Sequence, residues 1–210
     1  MTGDVHPSKA RILDAAIKLI RTRGYTATRI EDVCAAAGLT KGSFFHHFKT
    51  KEDLAVATAD HWSETTGALF REAPYHAPAD PLDRLLAYVD FRRDLVAGDL
   101  PDFTCLAGTM VQETYASDPA IRAACGRSIC GHAETLEADI ADAMKRHRIH
   151  GDWTPKGLAL HVQAVIQGAF VMAKATGGAE AAVESLGHLR RYLELLFTRA
   201  EPATRRRRNA

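Results

Sequence analysis

An all-α fold of about nine helices is the expectation, with a compact N-terminal unit of three helices followed by a larger helical unit. Three observations carry it. Apolar residues recur at i, i+3, i+4 and i+7 through nearly every segment, and no run alternates with the period of two that a half-buried strand needs. Helix-start residues precede these stripes at Ser8, Thr28, Thr40, Thr50, Asp80-Pro81, Asp118-Pro119 and Thr154-Pro155. Glycines at 24, 38, 98 and 177 follow several of them, where a chain leaves a helix.

The elements follow in order. Leu13, Ala16, Ile17 and Ile20 make the stripe of a first helix, capped by Ser8 and ended at Gly24 in the left-handed conformation. Thr28-x-x-Glu31 has the capping-box spacing, so a second helix starts there, presents Ile30, Val33, Cys34 and Ala37 to the first, and stops at Gly38. Thr40 caps a short third helix running to about His47. Thr50-x-x-Asp53 opens a longer one, past Trp62 to about Ala73, and Pro74–Pro81 reads as a loop. Asp80-Pro81 starts a helix that ends near Gly98, and another spans about Thr104–Ala116. Asp118-Pro119 opens a single long helix to about His147, with Ile121, Cys125, Ile129, His132, Leu136 and Ile140 on one stripe. Thr154-Pro155 opens the eighth helix, and Gly177-Gly178 ends it. In the ninth, Ala182, Leu186, Leu189, Leu193 and Leu196 alternate spacings of four and three, a heptad-like seam. The tail 201–210, with Arg205 to Arg208, lacks any apolar residue beyond alanine and is expected to be disordered.

Composition narrows the class. With 46% hydrophobic and 25% charged residues over 210 positions, the chain can bury a sizeable core. The net charge of +1 sets up no global field, but residues 1–54 are net basic and the remainder net acidic. The four cysteines, at 34, 105, 125 and 130, form no C-x-x-C pair, and no apolar leader stands at the N-terminus. The most apolar run, 157–176, is interrupted by His161, Gln163, Gln167 and Lys174, which reads as a buried helix rather than a membrane span. A reducing cytoplasm is the expected setting.

Residues 28–54, TRIEDVCAAAGLTKGSFFHHFKTKEDL, are the most informative stretch. A capped helix, a Gly38-Leu39 turn and a short helix loaded with Lys, Ser, His and aromatics follow one another, as in a helix-turn-helix whose second helix enters the DNA major groove. Thr28, Thr40, Lys41, Gly42, Ser43, Phe45, His46, His47 and Lys51 are the candidate DNA contacts. The Thr40 hydroxyl and the helix start behind it suit a phosphate. Lys41 reaches a base edge or phosphate, and Gly42 lets the backbone approach closely. Ser43 and His46 share a face, and Lys51 is placed for a phosphate. Phe44 and Phe48, four apart, are assigned to the core.

This stretch resembles the TetR family of one-component transcriptional regulators: a Thr-led helix, Ala-Ala-Gly-Leu-Thr-Lys-Gly, an aromatic–aromatic–His–His–Phe run, then Lys-Glu-Asp-Leu. The match reaches back through Arg11-Ile12-Leu13, Ala15-Ala16 and Gly24-Tyr25 and covers about the first quarter of the chain. The resemblance implies a DNA-binding domain over 8–54, joined by helix 50–73 to an effector-binding and dimerisation domain over 55–200. It implies a homodimer on a palindromic double-stranded operator, usually as a repressor, released by a small-molecule effector. Many members carry Tyr where Phe45 stands, so that residue is left a thymine methyl or a sugar as its contact. Dimerisation is expected through the last two helices, with Val162, Ile166, Leu186, Leu189, Leu193 and Leu196 at the interface.

Trp62, Cys105, Gln167 and Lys174 are the effector or sensing candidates. Cys105 stands at a helix start, where the dipole favours a thiolate. Together, Cys105-Leu106, Glu113 and Lys174 resemble a subgroup in which a cysteine here answers electrophiles or oxidants with a lysine nearby. No cofactor or metal is expected. Motifs for nucleophilic catalysis or phosphate binding are missing, and the best metal-ligand pair, His147-x-x-His150, spans a helix end without cysteine or clustered carboxylates. A helical adaptor that binds protein rather than DNA is the rival class.

Overall fold

The computed structural model describes residues 6–198; the basic tail 201–210 lies outside them. Among the described residues are eleven α-helices: α1 Pro7–Arg23, α2 Ile30–Ala37, α3 Lys41–His47, α4 Lys51–Arg71, α5 Pro81–Asp94, α6 Leu100–Phe103, α7 Leu106–Thr114, α8 Pro119–Glu134, α9 Glu137–Arg146, α10 Pro155–Thr176 and α11 Glu180–Phe197. No strand occurs among these residues.

Most starts fall where the capping residues stand. The Thr40 hydroxyl accepts from Ser43 N–H at 3.2 Å, and Thr50 and Asp53 complete a reciprocal capping box at 3.0 and 3.1 Å. Asp80, Asp118 and Thr154 cap helices whose first residue is proline. Gly38 leaves α2 in the left-handed region at φ 63°. Gly24 also has positive φ, but with ψ 164° its backbone is extended rather than left-handed helical.

Several expectations are corrected. The α2 helix starts at Ile30, not Thr28, and Asp32 rather than Glu31 accepts from the N-cap N–H of Arg29, at 3.3 Å. Residues 118–147 form two helices, not one. The break lies at Thr135-Leu136, where the Thr135 hydroxyl donates to the His132 carbonyl at 2.7 Å and Leu136 N–H bonds Ala133 three residues back. A separate short helix, α6, precedes α7, and Pro74–His76 is a 3-10 turn that buries Tyr75.

Two apolar cores form. One gathers Ile12, Ala16, Ile20, Val33, Phe44, Phe48, Leu54 and Ala55 of α1–α4 with Leu106, Met110, Ile121 and Cys125 of α7 and α8. The other gathers residues of α4, α5 and α8–α11 around Tyr88, Ile140, Ile166, Leu186 and Leu193. Cys105 touches both. Helix α11 packs on α10 and α5, and α10 also lies against α8 and α9.

This packing overturns the expected interface residues. Val162, Ile166, Leu186, Leu189 and Leu193 are all buried within the single chain, and Leu196 packs against the same core. The heptad-like seam faces α5 and α10, because a spacing rule states that a partner helix exists and not which one it is. What α10 and α11 leave uncovered are other apolar side chains: Leu160, Val171 and Met172 on one helix, Val183, Tyr192 and Leu195 on the other. Leu195 is 73% exposed. Helix α10 is long and apolar enough to cross a membrane by length and composition, yet its inner face forms part of the core.

Candidate DNA-reading face and effector chamber

The first core sets α3 on the surface. Phe44 and Phe48 plug the space between α1, α2 and α4, with ring centroids 5.6 Å apart. Arg11 clamps the turn before α3 by donating to the Ala37 and Gly38 carbonyls, a role that sequence spacing did not reveal. The opposite side of α3 then presents Lys41, Gly42, Phe45 and His46 outward, with Ser43 half-buried beside them.

Phe45 is 53% exposed and rests edge-on against Phe44. Lys41 forms an exposed ion pair with Glu31 at 2.6 Å. His47 is tied to the α1 start by a 2.6 Å hydrogen bond with Ser8, and burial, aided by the His46, His6 and Lys9 charges, lowers its pKa. A Cβ at Gly42 would meet only Thr40 Oγ1, at 3.6 Å. Nothing in the chain itself therefore requires glycine there.

Two candidates fall elsewhere. Thr28 is buried, with 2% exposure, and its hydroxyl donates to the Gly24 carbonyl at 2.7 Å. Its polar atom serves the turn, so it is removed from the DNA-facing set. The Lys51 ammonium lies 4.3 Å from the Tyr25 ring centre and donates to the Thr26 carbonyl at 3.2 Å. Burial lowers its pKa, and a phosphate would have to draw it away from both partners.

The second core is hollow. A chamber of about 200 Å³ lies between α4, α5, α8 and α10, with Trp62, Phe70, Arg92, Cys105, His132, Gln163, Gln167 and Phe170 in its wall. Trp62, Cys105 and Gln167 were sequence candidates and meet here; Lys174 does not. Its ammonium donates to Thr109 Oγ1 at 2.6 Å and lines a separate, more open groove with Arg21 and Asp102. Burial lowers its pKa, and the charges of Cys105 and Glu113 oppose that shift.

The chamber's polar groups converge on Tyr88, which no motif singled out. Its hydroxyl oxygen accepts from Arg92 Nε at 2.9 Å and from the Gln163 amide at 3.0 Å. Both lone pairs are then engaged, so its own proton goes to His132 Nε2, 2.9 Å away. This makes His132 a neutral imidazole carrying its proton on Nδ1. Burial, with the Arg92 charge adding to it, pushes the His132 pKa down to about 3.

Cys105 occupies the N-cap of α7, and its Sγ accepts from Gly108 N–H at 3.3 Å. From there α7 runs back to the DNA-reading unit. Arg21 of α1 donates to the Thr104 carbonyl at 2.8 Å and stacks over Trp62 at 4.7 Å. At the far end, the Glu113 carboxylate accepts from Tyr25 N–H at 3.0 Å and Thr26 N–H at 2.7 Å. The chamber wall and the α1–α2 turn are thus two ends of one short helix. His147, half of the best metal-ligand pair, is hydrogen-bonded to Asp80 at 2.9 Å instead.

The His132 geometry has a stability consequence. Its folded pKa lies below the unfolded value of about 6.5, so between the two the unfolded chain binds a proton that the native chain refuses. This contribution to stability is complete above the unfolded value and declines as pH falls towards the folded one. Thermal melts should show Tm dropping from about pH 7.5 to about pH 4.5, and dropping less in His132→Gln. Equal drops in the two proteins would contradict a neutral, buried His132.

The fold agrees with that of similar proteins. The description "Bacterial regulatory proteins, tetR family" matches residues 12–58, and "Tetracyclin repressor-like, C-terminal domain" matches residues 81–189. Among curated relatives, the transcriptional regulator AcuR of Cereibacter sphaeroides is 26% identical over 78% of this chain and 74% of its own length. The transcriptional repressor KstR2 of Mycobacterium tuberculosis is 29% identical over 40% of this chain and 42% of its own length. Among solved structures, a TetR regulatory protein from Rhodobacter sphaeroides superposes with a TM-score of 0.79 at 22% identity, covering 92% of this chain and all of that one. The reduced form of E. coli NemR superposes with a TM-score of 0.76 at 22% identity, covering 88% and 95%. The first of the two matching descriptions spans the helix-turn-helix and the second the greater part of the chamber-bearing unit, and the chain belongs to the TetR family of transcriptional regulators.

Proposed function

We propose that the chain is a one-component repressor acting in the cytoplasm, which binds a palindromic operator as a homodimer and is released when a small molecule fills the chamber. The observation that carries this reading is α7. One end of it stands in the chamber wall at Cys105, and the other holds the α1–α2 turn through Glu113. An occupant that favours a different α7 position changes where α3 sits, and only such a differential preference can shift the equilibrium. Thr40, Lys41, Gly42, Ser43, Phe45, His46 and His47 form the reading face, with Lys51 at its edge. Two copies would set two such faces in major-groove half-sites about one turn, roughly 34 Å, apart.

The dimer face is the apolar strip left open on α10 and α11, not the buried leucine seam. Leu160, Val171, Met172, Tyr192 and Leu195 would meet their copies across a two-fold axis.

A second reading, that Cys105 is a sensing thiol, is favoured by one arrangement. Cys105 lines the chamber at a helix N-terminus, where its Sγ accepts from the Gly108 N–H.

DNA from the region upstream of the gene should bind with affinity that falls steeply with salt. Gly42→Leu should keep or slightly raise thermal stability, since helical glycine costs about 1 kcal/mol, yet weaken DNA binding at least about tenfold. Wild-type affinity in this variant, by fluorescence anisotropy, would show the reading face to be misassigned. For the dimer, Leu195→Glu should sediment as a folded monomer, whereas Leu193→Ala should stay dimeric and lose about 2–5 kcal/mol of stability. A dimeric Leu195→Glu sinks the proposed face. For the thiol reading, treatment with iodoacetamide should release DNA from wild type and not from Cys105→Ser; equal release from both rules the thiol out.

A further inference from the structure

We propose that the chamber is built for a small organic anion, a carboxylate carrying an apolar body, whose charged end is received by Arg92 and His132. This rests on the reading of the chamber as the effector site and names the class of ligand it takes. Some arginines, such as Arg11 and Arg21, spend their guanidinium on backbone carbonyls, and Arg84, Arg127, Arg146 and Arg190 each face a carboxylate within 3.0 Å. Arg92 faces none within 4.0 Å among the described residues, although it stands in the chamber wall. Among the described residues its side chain makes one hydrogen bond, from Nε to the Tyr88 hydroxyl. That bond and the Phe70 ring, 4.3 Å from the guanidinium carbon, hold the group in place. The two terminal amino groups, which form the fork that matches a carboxylate, are left without a protein acceptor.

The Tyr88 network supplies a second donor. Because Tyr88 gives its proton to His132 Nε2, the histidine keeps its own on Nδ1, which meets no acceptor among the described residues. Two sets of donors therefore border the same cavity, and no carboxylate side chain does. A cation would be repelled there. A neutral ligand could accept from the fork but would leave the guanidinium charge unpaired. The rest of the wall, including Phe103, Ile129 and Phe170, suits an apolar body, and the chamber's volume of about 200 Å³ keeps that body small.

Benzoate is the probe, with benzamide as its uncharged match, titrated into the full-length protein by ligand-observed NMR. Wild type should bind benzoate saturably and at least about tenfold more tightly than benzamide, the scale of charge-assisted hydrogen bonds. Arg92→Gln should reduce benzoate binding to the benzamide level while leaving benzamide unchanged, and Arg92→Lys should keep part of the preference. Equal affinity for the two probes in wild type, no saturable benzoate binding, or undiminished benzoate binding in Arg92→Gln each overturns the proposal. If Arg92→Gln does not fold, Arg92→Lys and the wild-type ratio decide it. Binding to upstream DNA, measured without ligand, separates this inference from the regulatory reading. Benzoate selectivity without DNA binding would sink the regulator and keep the anion site, and DNA binding without benzoate selectivity would do the reverse.

Discussion

The grip of Glu113 on the turn at Gly24–Thr26 is the contact on which the architecture depends. A carboxylate on α7 accepts two backbone N–H groups from the loop between α1 and α2. The turn is shaped to receive it. Gly24 takes φ 89°, and a Cβ there would come within 2.5 Å of a Glu113 oxygen. Lys51 closes the other side through Tyr25 and the Thr26 carbonyl. Charge-assisted hydrogen bonds contribute about 1.5–3 kcal/mol each, and exposure to solvent places these near the lower end. That scale suits the coupling we propose between the chamber and the reading helix, firm enough to transmit a displacement and weak enough to be outweighed by a ligand.

The same helix is anchored at its other end by Arg21, whose Nε holds the Thr104 carbonyl while its guanidinium covers Trp62. Helix α7 is thereby strapped to α1 at both ends and buries Leu106 and Met110 in the first core. The DNA-reading unit does not close its core with α1–α3 alone. It borrows apolar side chains from α4, α7 and α8, which also supply or adjoin the chamber wall. Interiors packed in this way deform by switching between discrete arrangements rather than by bending smoothly.

Polar groups inside the second core are resolved by mutual hydrogen bonding. Tyr88 accepts twice and donates once, so Arg92, Gln163 and His132 are oriented by a single oxygen. No fully buried side-chain polar atom is left without a partner among the described residues. What the network does not consume, the Arg92 fork and the His132 Nδ1 proton, is the chemistry the chamber presents to an occupant.

Many of the local rules were legible in the chain. Capping residues, Pro at first helical positions and Gly at helix ends concern contacts within a few residues, so Thr40, Thr50, Asp80, Asp118, Thr154 and Gly177 marked their boundaries correctly. The reading helix was legible for the same reason, as was Cys105 at a helix start. Competing local hydrogen bonds and contacts between distant segments were not. Thr28 carried the capping signal, but its hydroxyl was taken by the Gly24 carbonyl. The leucine seam announced a partner helix, and tertiary packing decided that the partner was in the same chain. Residues 118–147 had one continuous apolar stripe, yet Thr135 turned back on the His132 carbonyl and split the helix. Arg92, Tyr88 and His132 lie on two helices 40 residues and more apart, with Gln163 on a third. No spacing rule joins them, because their meeting point exists only once α5, α8 and α10 have packed.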